Sequence, residues 1–456
     1  MINKSIKYYS TNRRSPEATF REALLKGLSP DGGLYLPVSI PSLSQKEMES
    51  FSAKEYHEIA FAVLNKLIGD EISIHDLSKL CRDAYSFHIP LEKVHNRKYI
   101  MRLDQGPTAS FKDFAARMMS RLMQHYLSLD NQHLTILTAT SGDTGSAVAN
   151  AFYESENINV IILFPDKEVT PMQRRQMTTL QKNISVIAID GKFDDCQKLV
   201  KKAFLDPALS HISLSSANSI NIGRLLPQSV YYFYAWSKLA NGVEDKAIFS
   251  VPSGNFGNLM GGLIAREMGL PVKQFILSTN KNDEVPEFLA SGVYKSIIPS
   301  INCISSAMNV GHPSNLSRIV AMYGGILDET GTIIKNPDIS KMREDLFGIS
   351  ISDEITGLTI ADAYRKYNIL LEPHGAVAWR GLEEYSGINL NPNSKKQLYI
   401  SLETAHPAKF PEEIQNILNI VPPLPPSLSG INEKAESYLS FDNNYQMVKD
   451  FIINYY

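Results

Sequence analysis

Two kinds of residue in this sequence are placed to do chemistry: a lysine set where positive charge is unwelcome, and small polar loops able to grip anions. Lys112 lies in Gly106-Pro-Thr-Ala-Ser-Phe-Lys-Asp-Phe-Ala-Ala-Arg-Met-Met119. Ser110 and Asp113 have the spacing of an N-capping box, and Phe111, Ala115, Met118 and Leu122 recur on one helical face. The spacing therefore predicts that Lys112 sits in the first turn of a largely buried helix. A cation there opposes the helix dipole, and the flanking Phe111 and Phe114 remove water from it. Both effects favour the neutral amine, the form that condenses with an aldehyde.

The loop Ser250-Val-Pro-Ser-Gly-Asn-Phe-Gly-Asn258 follows an apolar run and precedes a helical stretch from Leu259. Gly254 and Gly257 allow the N–H groups of Gly254, Asn255, Phe256, Gly257 and Asn258 to converge in a nest that holds a phosphate without a cationic side chain. A tight strand-to-helix turn accounts for the same residues. A phosphate nest together with a desolvated lysine is what pyridoxal 5′-phosphate requires. Thr140-Ser-Gly-Asp-Thr-Gly145 opens another helix, and Thr140, Ser141, Asp143 and Thr144 offer hydroxyls and free N–H groups to an amino-acid carboxylate, although helix capping explains them equally. Asn218, Ser219, Asn221 and Arg224 bring amides, a hydroxyl and a guanidinium close together. That set suits a second phosphate; an ordinary helix start with a surface arginine is the alternative. Thr404 ends an apolar run, where its hydroxyl can meet a ring nitrogen or simply satisfy a strand end.

These loops need strands and helices to aim them. Leu134 to Ala139, Val160 to Phe164, Val186 to Ile189, Ala247 to Val251, Phe275 to Leu277 and Leu398 to Leu402 are short apolar runs separated by helical stretches. Buried parallel strands with helical crossovers read this way, so the fold class is α/β. Ser42 to about Asp83 has helical spacing and predicts a helical N-terminal region. Three of the apolar runs end in the loops above, and in parallel sheets ligands collect beyond the carboxyl ends of strands, which implies one composite site. Pro422 to Pro426 reads as a rigid connector to a C-terminal helix.

The 456 residues carry 45 Lys+Arg against 48 Asp+Glu, a formal charge of −3, with 43% hydrophobic residues. Such a chain has length for a large core and a second lobe, and it lacks the basic footprint of a nucleic-acid or anionic-membrane binder. Cys81, Cys196 and Cys303 are far apart, with neither a disulfide framework nor a metal site suggested, and a cytoplasmic setting is expected. Met1 to Arg14 is polar, and no run approaches the roughly 18 apolar residues of a membrane span. There is no G-x-x-x-x-G-K-[ST], no second His after His57-Glu58, no G-x-S-x-G and no G-x-G-x-x-G, which disfavours P-loop, zincin, α/β-hydrolase and NAD chemistry.

Eight segments in order resemble the threonine synthase family, of the longer bacterial and fungal type. They are Asp31-Gly-Gly-Leu-Tyr-Leu-Pro37, Gly106 to Ala115, Thr140 to Ser146, Asn218-Ser-Ile-Asn221, Pro252 to Asn258, His312-Pro-Ser-Asn315, Glu372-Pro-His-Gly-Ala-Val377 and Thr404-Ala-His-Pro-Ala-Lys-Phe410. The resemblance implies a fold-type-II PLP enzyme, tryptophan synthase β-like, with two α/β lobes, parallel-rich twisted sheets and the helical N-terminal region. It implies lobes at 1–95, at 96–133 with 216–456, and at 134–215, the last closing over the larger. Conversion of O-phospho-L-homoserine and water to L-threonine and phosphate is the implied activity, by a monomer or weak homodimer. Lys112 is implied as the Schiff-base lysine, Gly254 to Asn258 as the cofactor-phosphate loop, Thr404 as the partner of the pyridine nitrogen, and Asn218, Ser219 and Arg224 as the substrate-phosphate segment. Asp143 departs from the Asn of many fold-type-II enzymes; it is expected to be protonated or turned toward backbone N–H groups. A PLP-dependent lyase or deaminase is the nearest alternative, and a non-enzymatic ligand-binding relative the more distant one.

Overall fold

The computed structural model describes residues 6–389 and 396–455; the first residues of the polar N-terminal stretch lie outside them. Two parallel-rich sheets carry the architecture. The larger has six strands in the order Leu346–Ser350, Val272–Thr279, Ala247–Pro252, Leu398–Glu403, Lys98–Arg102, Leu91–His95, and only the last pairing is antiparallel. The smaller has five parallel strands: Leu439–Asp442, Ile184–Asp190, Ile158–Pro165, Leu134–Ala139, Leu214–Ser215. All six strands expected from the apolar runs are present.

Every residue of Leu134–Ala139, Ala247–Pro252 and Leu398–Glu403 is buried, because helices cover both sheet faces. Each aliphatic side chain so buried contributes about 1.5–3 kcal/mol, which outweighs the modest strand propensities of the serines and threonines among them. The N-terminal region packs four helices onto this core. Tyr56–Ile68 buries Ile59, Ala60, Val63, Leu64 and Leu67 along one stripe, and a Thr19–Glu22 capping box starts the helix Phe20–Lys26.

The chain's end departs from expectation. Residues 216–456 were expected in the larger lobe, yet Leu439–Asp442 joins the smaller sheet beside Ile184–Asp190, and the helix Tyr445–Tyr455 seats Val448 and Ile452 in that sheet's own core. Likewise Leu91–His95, expected in the N-terminal region, is the edge strand of the larger sheet. Both are edge strands of mixed polarity, for which no buried face forces an apolar run. Among the described residues, no helix is long and apolar enough to cross a membrane.

Candidate active site

The strand ends after Ala139, Pro252 and Glu403 open on one pocket. Lys112, Thr140, Ser141, Asp143, Thr144, Asn218, Ser219, Arg224, all of Gly254 to Asn258, and Thr404 line it. Of the residues singled out from sequence, Asn221 alone lies outside that lining. Its Oδ1 accepts from Gly223 N at 2.8 Å, and its Nδ2 donates to Leu24 O and Ser216 O, both at 2.9 Å. Asn221 is thus a buried helix cap that ties the segment to the N-terminal region, not a ligand-facing amide.

Lys112 is the first residue of the helix Lys112–Asp130. The expected Ser110–Asp113 box does not form. The Asp113 carboxylate is buried and turns back to Thr108, accepting from its N–H at 2.9 Å and its hydroxyl at 2.7 Å. No side chain caps the helix start, so the positive end of the dipole stays open beside Lys112. Lys112 Nζ stands 4.6 Å from the Phe111 ring centroid and 3.8 Å from Asp143 Oδ2. Burial pushes its pKa down to about 8, against the pull of the Asp143 carboxylate.

Asp143 corrects a sequence expectation. Burial does work against its charge, but Lys409, Lys112 and the Gln173 amide outweigh it and hold its carboxyl well below the usual carboxylate range. Lys409 Nζ lies 2.7 Å from Oδ1 and Gln173 Nε2 donates to the same oxygen at 2.8 Å. Asp143 is therefore ionised and faces cations; it is neither protonated nor turned to backbone N–H groups, because a buried carboxylate keeps its charge when an ammonium shares its cavity. Lys409 and Gln173 were given no role from sequence. Lys409 stands in the quoted Thr404 to Phe410 segment, but nothing local shows that it reaches a carboxylate so distant along the chain.

The Gly254–Asn258 loop links the strand Ala247–Pro252 to the helix Gly257–Glu267. Among the described residues, the five N–H groups from Gly254 to Asn258 donate to nothing in the protein. Side chains brace the loop from behind: Asn258 Nδ2 donates to Pro252 O at 2.8 Å, and Ser253 Oγ to Asn258 Oδ1 at 2.9 Å. The left-handed residue is Phe256, with φ of 59°, rather than either glycine. Its ring, 1% exposed, is anchored in the core. Gly254 is needed for close approach, since a Cβ there would lie 2.8 Å from the Met308 Cα, whereas one on Gly257 would meet nothing nearer than 3.4 Å.

At the second loop, Thr140 Oγ1 accepts from Gly142 N at 2.9 Å and Gly145 N at 2.7 Å. Among the described residues, the N–H groups of Ser141, Asp143 and Thr144 have no partner and are free to meet an anion at the start of the helix Asp143–Phe152. Across the pocket, Arg224 anchors Nη1 on Ala217 O at 2.5 Å, while its buried Nε has no partner among the described residues. Asn218 spends its amide on Ala139 O at 2.8 Å and so fixes its backbone.

Behind Thr404, whose hydroxyl donates to Glu372 Oε1 at 3.4 Å, lies a pair that sequence reading left without a role. His374 Nε2 accepts from Ala307 N at 3.0 Å, so Nδ1 carries the hydrogen and donates to Glu372 Oε2. This links the start of the helix Pro373–Ile388 to the segment of Ala307 and Met308 that backs Gly254.

Pyridoxal 5′-phosphate suits these donors: five unpaired N–H groups for its phosphate, a close-approach glycine, a low-pKa lysine for its aldehyde, and a buried hydroxyl at Thr404. Family models agree. Residues 7–85 match the threonine synthase N terminus, 88–395 the pyridoxal-phosphate dependent enzymes, and 381–452 the threonine synthase C-terminal region. The chain is 38% identical over 450 residues to a threonine synthase of Buchnera aphidicola subsp. Schizaphis graminum, covering 98% of this chain and 100% of that one. Its structure is similar to PLP-bound threonine synthase from Brucella melitensis, with a TM-score of 0.91, 35% identity and 99% of each chain covered. Threonine synthase from Escherichia coli superimposes with a TM-score of 0.88 at 36% identity, covering 99% of this chain and 100% of that one.

Proposed function

The chain belongs to the threonine synthase family, and we propose on that premise that it converts O-phospho-L-homoserine and water into L-threonine and phosphate. The observation that carries the reading is the presence, on one pocket with a reactive lysine and beside the N–H groups of Ser141, Asp143 and Thr144, of two further sets of donors suited to phosphate: the free N–H groups of Gly254 to Asn258, and the Arg224 guanidinium with its unpartnered Nε. A cofactor phosphate and a substrate phosphate call for two such sets.

Pyridoxal 5′-phosphate, when bound, supplies an aldehyde that joins amines and a ring that spreads the electron pair left behind when a proton leaves the neighbouring carbon. Gly254 to Asn258 would hold its phosphate, Lys112 its aldehyde end and Thr404 its ring nitrogen. A neutral hydroxyl at that nitrogen makes a milder electron sink than a carboxylate. The free N–H groups of Ser141, Asp143 and Thr144 orient the substrate carboxylate. With its nitrogen free, Lys112 Nζ would be the nearest base: it would take the Cα proton, hand that proton on before taking one from Cβ, and return a proton in the later steps. Its lowered pKa suits both directions near neutral pH. The Arg224 guanidinium, with Ser219 on a backbone that Asn218 fixes, receives the phosphate as it leaves Cγ, and water then adds at Cβ.

Water must enter for one step and stay out of the others, and closure of the lobe at 134–215 over the larger one provides that control. The three cysteines are free of disulfides, which supports a cytoplasmic setting, and the chain acts as a monomer or weak homodimer on a small-molecule substrate without nucleic acid. Product analysis with O-phospho-L-homoserine tests the reading. Threonine and phosphate in equal amounts support it; a keto acid with ammonia would assign the pocket to a lyase or deaminase instead.

A further inference from the structure

Lys409 has no part in the chemistry above, yet it is a wholly buried cation beside it, with a side chain 0% exposed. Nζ reaches Asp143 Oδ1 at 2.7 Å and donates to Thr108 O at 2.9 Å. Gln173 Nε2 occupies the same Asp143 oxygen at 2.8 Å, so Oδ1 is engaged twice while Oδ2 faces Lys112 Nζ at 3.8 Å. A buried ion pair adds little stability over an apolar pair of the same size, so its place against the reactive lysine asks for another reason. A bare carboxylate 3.8 Å from a buried amine would hold a proton on that amine. The second ammonium, on the far oxygen of the same carboxyl group, cancels most of that pull.

We infer that Lys409 is a positioning residue for Lys112: it neutralises Asp143 and fixes its orientation, so that Lys112 faces a dipole rather than an unshielded negative charge and can release its proton. Other charged groups also face Lys112. Arg224, from the helix Ile222–Leu225, pushes the proton off, as Lys409 itself does from the turn Pro407–Lys409. Glu372, at the start of the helix Pro373–Ile388, holds the proton on, but its oxygens are committed to the His374 and Gly375 N–H groups, the His374 ring and the Thr404 hydroxyl. On the lysine's own helix, Asp113 is committed to Thr108. Asp143 is thus the carboxylate whose influence on Lys112 Lys409 directly controls. The inference rests on Lys112 being the cofactor lysine, but the direction of each change follows from the charges alone.

The test is competitive acylation of the cofactor-free protein with acetic anhydride from neutral to alkaline pH, with Lys112 modification read by peptide mass spectrometry. Lys409→Met leaves Asp143 unshielded, so the Lys112 midpoint moves up by about one unit and labelling at neutral pH falls about tenfold. Asp143→Asn leaves Lys409 unpaired and moves the midpoint down. The double variant returns it close to that of the unmodified protein, and Lys409→Arg keeps it there. An unchanged or lowered midpoint in Lys409→Met, or an unchanged or raised one in Asp143→Asn, would overturn the inference. If circular dichroism shows Lys409→Met unfolded, Asp143→Asn and the double variant decide by the same signs. Midpoints that shift as stated in a protein making no threonine would sink the proposed function and leave this inference standing.

Discussion

The Gly254–Asn258 loop and the Asn218–Arg224 segment serve the same pocket by opposite means. The first offers five backbone N–H groups, a helix start and no cation; the second offers a guanidinium, buried and held by one nitrogen, with another left unpaired. A nest of dipoles holds a resident phosphate without adding a charge that would change the lysine nearby. A leaving phosphate gathers negative charge as its bond to carbon breaks, and a guanidinium grips that charge more strongly as it grows. The contrast separates a group that stays from a group that departs.

Lys112 serves both subsites, so its loss abolishes the difference between them. Lys112→Ala should leave the fold intact by circular dichroism and lower threonine formation by roughly 10³-fold or more, since it removes both the tether and the proton carrier. Normal turnover in that variant would end the assignment. Gly254→Val should break one subsite alone: the added side chain meets the Met308 backbone, and cofactor content, read by visible absorbance, should fall steeply. Gly257→Ala is the finer probe, because the protein itself has room for that Cβ. Any loss of cofactor in this second variant reports contact with the phosphate rather than disturbance of the fold, and full occupancy in both variants would return the loop to a plain turn.

Arg224→Ala should do the reverse. Cofactor absorbance stays, while kcat/KM for O-phospho-L-homoserine falls about 10- to 150-fold, the equivalent of about 1.5 to 3 kcal/mol for a charge-assisted contact. Slow side reactions with L-serine, which lacks a phosphate, should barely change. Equal damage to both substrates would place phosphate recognition elsewhere. Asn221→Ala should have the smallest effect on catalysis and still cost stability, about 1–2 kcal/mol for a lost helix cap, because Asn221 holds Leu24 O, Ser216 O and Gly223 N rather than ligand. A denaturant midpoint that falls while kcat holds would confirm that division.

Sequence reading went furthest where physics is local. The apolar runs announced six strands because both faces of those strands are covered, and Lys112 stood out because its neighbours along one helix already remove its water. It went wrong where the outcome depended on a partner from elsewhere in the chain. Asp143 is charged because Lys409, which follows a different strand of the other sheet, shares its cavity. Asn221 has the composition of a ligand, but the carbonyl that claims it lies in an N-terminal helix. The glycines of the phosphate loop announced a nest, but the one residue of that loop with left-handed backbone is Phe256, held there by the burial of its ring. The strand Leu439–Asp442 was missed because an exposed edge leaves no apolar signature.

The most direct test of the central claim, that phosphate departs from carbon at one subsite while water is delivered to the neighbouring carbon, is to run the reaction with O-phospho-L-homoserine in oxygen-18 water. Mass spectrometry should find one heavy oxygen in the threonine hydroxyl and none in the newly released phosphate. Heavy oxygen in the phosphate, accompanied by homoserine instead of threonine, would show hydrolysis at phosphorus and contradict the account.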